Sequence, residues 1–338
     1  MILIRADANE IIGMGHLMRC LSIAHAFDVQ GETVLFITAD HSGDDLIRQA
    51  GFKSICLETE RVEMDDELSK INTIIQEYRP SLFLLDSYNI TEEYCKTISR
   101  LVKTAYMDDL NISVWDVNYI INYNVFSLVM DYSLYEQTDT IVLLGPNYAP
   151  LRDEFKNLPK HTIRNEVTDI LISVGGTDPE AVTEKMILGT CPKWKNIQFH
   201  CIVGPLNPRL EQIKQLEEKI DNVILHINES NMSALMRSCD LAISAAGSTL
   251  YELCACGIPT ITFTLADNQI AATEQFEKQQ IMLGAGDCRN SDHFLRRVEK
   301  CLQQLVHNKT QRKELSLKMQ TLVDGNGVQR IVKELLYN

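Results

Sequence analysis

The feature that most constrains this chain is a set of short runs that are apolar on both faces. "SLFLLD" (81–86) and "DILISVGG" (169–176) are nearly continuous hydrophobic stretches. A strand with no polar face must be covered on both sides, which is the situation of a parallel strand flanked by helices. Runs of this kind are read at 2–5, 33–38, 53–57, 81–86, 102–107, 119–123 and 140–144. In the second half they recur at 168–174, 197–203, 222–227, 240–244 and 259–263. Between them the period changes to that of a helix: Leu17, Leu21, Ala24 and Phe27 form one stripe, and Leu250, Leu253 and Cys254 another. Strand alternating with helix means βαβ units and a doubly wound parallel α/β sheet.

The pattern runs twice, as a length of 338 residues allows. "NLPKHTIRNEVTD" (157–169) is polar, contains Pro159, lacks apolar periodicity and reads as the linker. The expected organisation is a Rossmann-like domain over 1–158, a second over 159–325, and a terminal helix over 326–338 that packs back across the domains. Two such domains would face each other across a cleft, the crevice at which open α/β sheets take ligands.

A net charge of −14 argues against a nucleic-acid partner. No apolar run is long enough for stable membrane insertion, and "MILIRADANE" lacks the pattern of a secretory leader, so a cytoplasmic location is expected. The ten cysteines, including Cys191, Cys201, Cys254 and Cys256, follow no disulfide framework or zinc spacing and read as reduced core residues; no metal is expected. His200 and His226 fall inside strand patterns and read as structural.

Six segments carry candidate chemistry. "GMGH" (13–16) joins the first strand to the first helix. Gly13 and Gly15 let backbone amides approach a ligand, and Met18 stands where a dinucleotide fingerprint needs its third glycine. His16 follows directly, a proton acceptor at a helix mouth, with Arg19 one turn on. "DSYN" (86–89) and "MDD" (107–109) place Asp86, Tyr88, Asp108 and Asp109 at strand ends. "SVGGTDP" (173–179) offers Gly175, Gly176 and Thr177, then Asp178 and Pro179 in the N-cap and N1 order of a helix start. "SAAGSTLYELCACGIP" (244–259) places Gly247, Ser248 and Thr249 at a helix N-terminus, a ready site for a pyrophosphate, with Glu252 one turn inside. "ADNQ" (266–269) adds Asn268 and Gln269 at the next strand end. P-loop, zincin and Gly-x-Ser-x-Gly motifs do not occur.

In this order, "LIRADANEIIGMGHLMRCLSIA", "DSY", "MDD", "NYAPLRDEF", "SVGGTDP" and "SAAGSTLYELCACGIPTI" resemble the UDP-sugar hydrolases of pseudaminic acid biosynthesis, the PseG type, and the spore-coat protein SpsG. The match covers about residues 1–285; the second half is also similar to MurG, the N-acetylglucosaminyl transferase. The resemblance implies the GT-B architecture and metal-independent, cofactor-free hydrolysis of a UDP-linked 2,4-diacetamido-2,4,6-trideoxyhexose to UDP and free sugar. It implies His16 as the base for water, Glu252 on the ribose, and Gly247, Ser248 and Thr249 on the phosphates. Tyr88 and Asn268 would lie near the sugar. Gly13, Gly15, Arg19, Asp108, Gly175, Gly176, Thr177 and Gln269 complete the expected substrate-binding set. The alternative is a MurG-like transferase that uses the same donor site; a nucleotide-sugar-binding protein without catalysis is a third reading. The helical pattern after about 290 is longer than the resemblance accounts for.

Overall fold

The computed structural model describes residues 1–8, 14–60, 62–204 and 207–338. They form two compact units, Met1–Arg152 with Asn326–Asn338, and Asp153–Gly325.

In the first unit the elements run β1 (Ile2–Ala6), α1 (Gly15–Val29), β2 (Val34–Thr38), α2 (Asp44–Gln49), β3 (Lys53–Cys56), α3 (Leu68–Tyr78), β4 (Leu82–Asp86), α4 (Glu92–Ser99), β5 (Thr104–Met107), β6 (Tyr119–Asn122) and β7 (Ile141–Leu144). The seven strands make one parallel sheet in the order β3-β2-β1-β4-β5-β6-β7. Strand order reverses between β1 and β4, whose ends are in register at Ala6 and Asp86. This is the topological switch point, where loops from neighbouring strands diverge and leave a crevice. β1, β2 and β4 are buried at every position, as apolar runs covered on both faces must be.

The second unit runs β8 (Asp169–Ser173), α5 (Val182–Gly189), β9 (Gln198–Val203), α6 (Leu210–Glu217), β10 (Val223–Ile227), α7 (Met232–Ser238), β11 (Leu241–Ala245), α8 (Thr249–Cys256), β12 (Thr260–Thr264), α9 (Ile270–Lys278), β13 (Leu283–Asp287), α10 (Ser291–His307) and α11 (Lys309–Leu322). Its parallel sheet has the order β10-β9-β8-β11-β12-β13, so the switch point lies between β8 and β11. All twelve strand segments read from the sequence are strands. The thirteenth, β13, was hidden because "LGAGD" has two glycines and no apolar run. All ten cysteines are free thiols, and eight are buried. Among the described residues no helix is long and apolar enough to cross a membrane.

The chain then returns to the first unit as α12 (Gly327–Tyr337), which packs on α1 and the turn at Pro146–Tyr148. Arg330 donates to the Asn147 carbonyl at 2.9 Å, and Lys103 to the Leu335 carbonyl at 3.3 Å. Gly327 is required by the closeness of this contact. A Cβ there would stand 2.6 Å from the Ala149 amide nitrogen and 2.7 Å from the Tyr148 carbonyl carbon. These are backbone atoms and cannot rotate away. Gly327→Ala is therefore expected to destabilise the first unit by about 2 kcal/mol, the scale of overpacking a tight contact, measured by urea denaturation; an unchanged midpoint would contradict this account of α12.

Candidate active site

In the first unit the switch point is built around a buried carboxylate. α1 begins at Gly15, so His16 and Arg19 lie three residues apart on one face of its first turns. Asp86, the last residue of β4, meets that face. His16 Nδ1 is 2.6 Å from Asp86 Oδ1, Arg19 Nε donates to Oδ2 at 2.6 Å, Arg19 Nη2 donates to Oδ1 at 2.5 Å, and the Cys20 thiol donates to Oδ2 at 3.3 Å. Asp86 is 1% exposed. Burial alone would raise its pKa, but Arg19 and His16 hold the carboxyl far below the usual range. The Cys20 thiol is pushed well up by its burial and by Asp86, so it stays protonated.

With Asp86 ionised, the neutral form of His16 keeps its proton on Nδ1. Arg19 Nη2 also lies 3.2 Å from Nδ1. That nitrogen cannot accept while it donates to Asp86, and the Nη2 proton has Asp86 as its partner. The lone pair is thereby placed on Nε2, which makes no hydrogen bond among the described residues. The Tyr88 ring stands edge-on to the imidazole, with centroids 4.6 Å apart and planes at 85°.

A second carboxylate joins the network. Arg19 Nη1 donates to Asp109 at 2.8 and 3.1 Å and to the Tyr123 hydroxyl at 3.1 Å. Tyr88 donates to Asp109 Oδ2 at 3.1 Å and Asn124 to Oδ1 at 2.8 Å. Burial pushes the phenol of Tyr123 up to about 12, and that of Tyr88 further still.

The structure brings together His16, Arg19 and Tyr88 of the expected set. The Arg19 guanidinium is buried and directed at Asp86 and Asp109, which makes it the tie between two carboxylates. Asp108 is fully buried; its Oδ1 accepts from the amides of Leu110 and Asn111, so it shapes a turn. Asp109, its neighbour, takes the place in the cluster. Gly15 is exposed at the helix mouth, and a Cβ there would meet nothing within 4 Å. Gly13 lies outside the described residues.

In the second unit the corresponding loops leave the neighbouring strands β8 and β11. After β8, Gly175 has φ +99°, and Gly175, Gly176 and Thr177 are exposed. Beside Gly175 and Gly176 the space is open, while a Cβ on Gly204, at the end of β9, would run into the backbone of Gly176. The loop is therefore fixed from behind and free in front. Asp178 does cap a helix, but not as the Asp-Pro order suggested. Its carboxylate accepts from the amides of Val182 and Thr183 at 2.8 and 2.9 Å, and α5 starts at Val182 instead of Pro179.

After β11, Gly247, Ser248 and Thr249 lead into α8, with Ser248 exposed and open space beside Gly247. The first amides of a helix have no partner within it and carry its positive end. Glu252 lies on the first turn of α8, and Gly257, at φ +71°, closes the helix in the left-handed conformation glycine favours. Asn268 is exposed on the turn after β12. Gln269 is turned inward: its Oε1 accepts from the Leu265 amide at 2.9 Å and braces that turn. His200 and His226 pair across β9 and β10 at 3.0 Å, with His200 also 3.1 Å from Asp169.

These two units define a class. The chain has the GT-B fold of two parallel-sheet α/β domains, and residues 170–335 match the glycosyltransferase family 28 C-terminal domain. The fold is that of Acinetobacter baumannii MurG, at TM-score 0.70 and 12% identity over 99% of this chain and 98% of that one. Among sequence relatives, the UDP-2,4-diacetamido-2,4,6-trideoxy-beta-L-altropyranose hydrolase of Campylobacter jejuni is 26% identical over 253 residues, 74% of this chain and 86% of its own. The spore coat polysaccharide biosynthesis protein SpsG of Bacillus subtilis is 25% identical over 203 residues, 59% of each chain. A Methanocaldococcus jannaschii protein, MJ1062, is 29% identical over 274 residues, 77% of this chain and 54% of its own. The chain thus spans little more than half the length of two of these relatives. Its sequence is similar to those of the PseG-type hydrolase and SpsG, and its fold to that of MurG.

Asp86→Asn keeps the shape but removes the charge that faces Arg19. We expect a loss of about 3–5 kcal/mol in urea denaturation at pH 7, the cost of breaking a buried pair from one side. Because the folded carboxyl titrates below its ordinary value of 3.8, its contribution is present above that pH and fades as the pH falls below it. The difference between wild type and variant should shrink on acidification below 3.8; a constant difference would contradict the ion pair.

Proposed function

We propose that the protein hydrolyses a UDP-linked 2,4-diacetamido-2,4,6-trideoxyhexose at its anomeric C–O bond, releasing UDP and the free sugar for pseudaminic-acid-type nonulosonate synthesis. The observation that carries the reading is His16 with Nδ1 fixed on Asp86 at 2.6 Å and Nε2 left as an acceptor. A ring so held is a general base with its tautomer chosen in advance.

In the step itself, Nε2 takes a proton from water as the water oxygen bonds to the anomeric carbon. The bond from that carbon to the UDP oxygen breaks, and its electron pair leaves with UDP. The developing charge falls on a diphosphate, which the α8 N-terminus with Gly247, Ser248 and Thr249 is suited to receive. Gly175, Gly176 and Thr177 are assigned to close backbone approach, Glu252 to the ribose diol, and Tyr88 and Asn268 to the sugar. Gly13 and Gly15 give clearance at the helix mouth, and Gln269 holds the Asn268 turn. His16 then returns its proton to solvent.

The match to a family 28 glycosyltransferase domain over residues 170–335 favours a second reading, transfer from the same donor to a sugar hydroxyl. The two readings separate in an acceptor-free assay with chelator present, following UDP and free sugar. Stoichiometric release of both is expected; no release until an acceptor is added would establish the transferase. His16→Ala should keep UDP affinity and lose turnover by at least ~10²-fold, the scale of a general base; normal turnover would remove His16 from the mechanism. Glu252→Ala should weaken UDP binding by about tenfold or more in calorimetry, the loss of a charged hydrogen-bond acceptor; an unchanged dissociation constant would refute the ribose role.

A further inference from the structure

The charges buried around His16 do not balance. One cation, Arg19, faces two carboxylates, Asp86 and Asp109. Both carboxylates are saturated with donors. Asp86 receives His16 Nδ1, Arg19 Nε, Arg19 Nη2 and the Cys20 thiol, and Asp109 receives Arg19 Nη1 on both oxygens, Tyr88 and Asn124. A carboxylate oxygen that accepts on every side has no room for a proton of its own. Among the described residues, the other titratable groups shown in contact with this cluster are neutral: the Cys20 thiol on α1, the Tyr88 phenol after β4 and the Tyr123 phenol after β6. Asp108, from the loop after β5, turns away to the Leu110 and Asn111 amides. With a neutral imidazole, the described residues of the cluster therefore carry one negative charge in excess.

We propose that Asp109 is a positioning residue that sets this deficit, so that the cluster becomes neutral when His16 takes up the proton from water. Asp86 chooses the tautomer; Asp109, which acts on His16 through the shared guanidinium of Arg19, supplies the charge that makes proton uptake favourable. Without Asp109, Arg19 and Asp86 would cancel, and protonation of His16 would leave a buried net cation. The proposal rests on His16 as the base, but it makes a claim about the ring itself that can be read without turnover.

The test is an NMR titration of the His16 ring protons in the intact protein, beside pH–rate profiles of the same variants. Asp109→Asn removes a negative charge, so the imidazolium is disfavoured and the titration midpoint should fall by about one pH unit, the lower end of the effect of a nearby opposite charge. Asp109→Glu should bring the midpoint back towards that of the wild type. Tyr123→Phe removes a hydrogen bond to the same guanidinium but no charge, and should leave the midpoint in place. Should Asp109→Asn fail to fold, Asp109→Ser removes the same charge and should shift the midpoint in the same direction. The acid limb of kcat should move down with the midpoint, and kcat on the alkaline plateau should fall several-fold, with UDP affinity unchanged. An unmoved midpoint on removal of Asp109, or an equal shift in Tyr123→Phe, overturns the proposal. A midpoint that moves while the rate profile does not would uphold the charge balance and overturn His16 as the base.

Discussion

Arg19 must keep its charge in a place with almost no water, and much of the first unit is arranged around that requirement. A buried guanidinium is costly unless acceptors surround it. Here the acceptors are supplied by three separate loops: Asp86 ends β4, Asp109 follows β5, and Tyr123 follows β6. Each of those strands must stop at the right height for its carboxylate or hydroxyl to reach one side chain on α1. The parallel register, with Ala6 beside Asp86, provides that alignment. The same guanidinium that makes the cluster stable also fixes Asp86, and Asp86 in turn fixes His16. Stability and the orientation of the His16 ring depend on a single ion network in this unit.

Much of this was legible in the sequence. Uniform apolar runs mark covered parallel strands, and their alternation with helical stripes marks the winding. The loops that carry "GMGH" and "GST" were legible too, because glycine and a following helix have a local signature. Pairing across the sheet was not. Arg19 and Asp109 are 90 residues apart, and nothing local distinguishes an arginine that meets substrate from one that meets two buried carboxylates. For the same reason "MDD" places Asp108 and Asp109 alike at a strand end, and the sequence reading assigns Asp108 to the substrate. Only the fold shows that one braces a turn and the other faces Arg19. The start of α5 was missed because Asp178 caps from four residues away.

The two units solve different problems with one device. In each, the loop after the first strand and the loop after the strand across the reversal are neighbours, so residues far apart in sequence are set side by side. The first unit fills that place with charge and a titratable ring. The second fills it with glycines and the start of a helix, with open space beside Gly175, Gly176 and Gly247. Gly204 shows how firmly this is held, since its lack of a side chain lets β9 press against the Gly176 backbone.

The return of the chain as α12 sets an order on biosynthesis. The second unit is continuous in sequence, whereas the first is made of an early segment and a late one. A ribosome therefore delivers all of Asp153–Gly325 before α1 receives the helix that covers it. Until then the face of α1 that α12 covers stays in contact with water and with whatever else binds apolar surface. The unit that begins first is the one that finishes last.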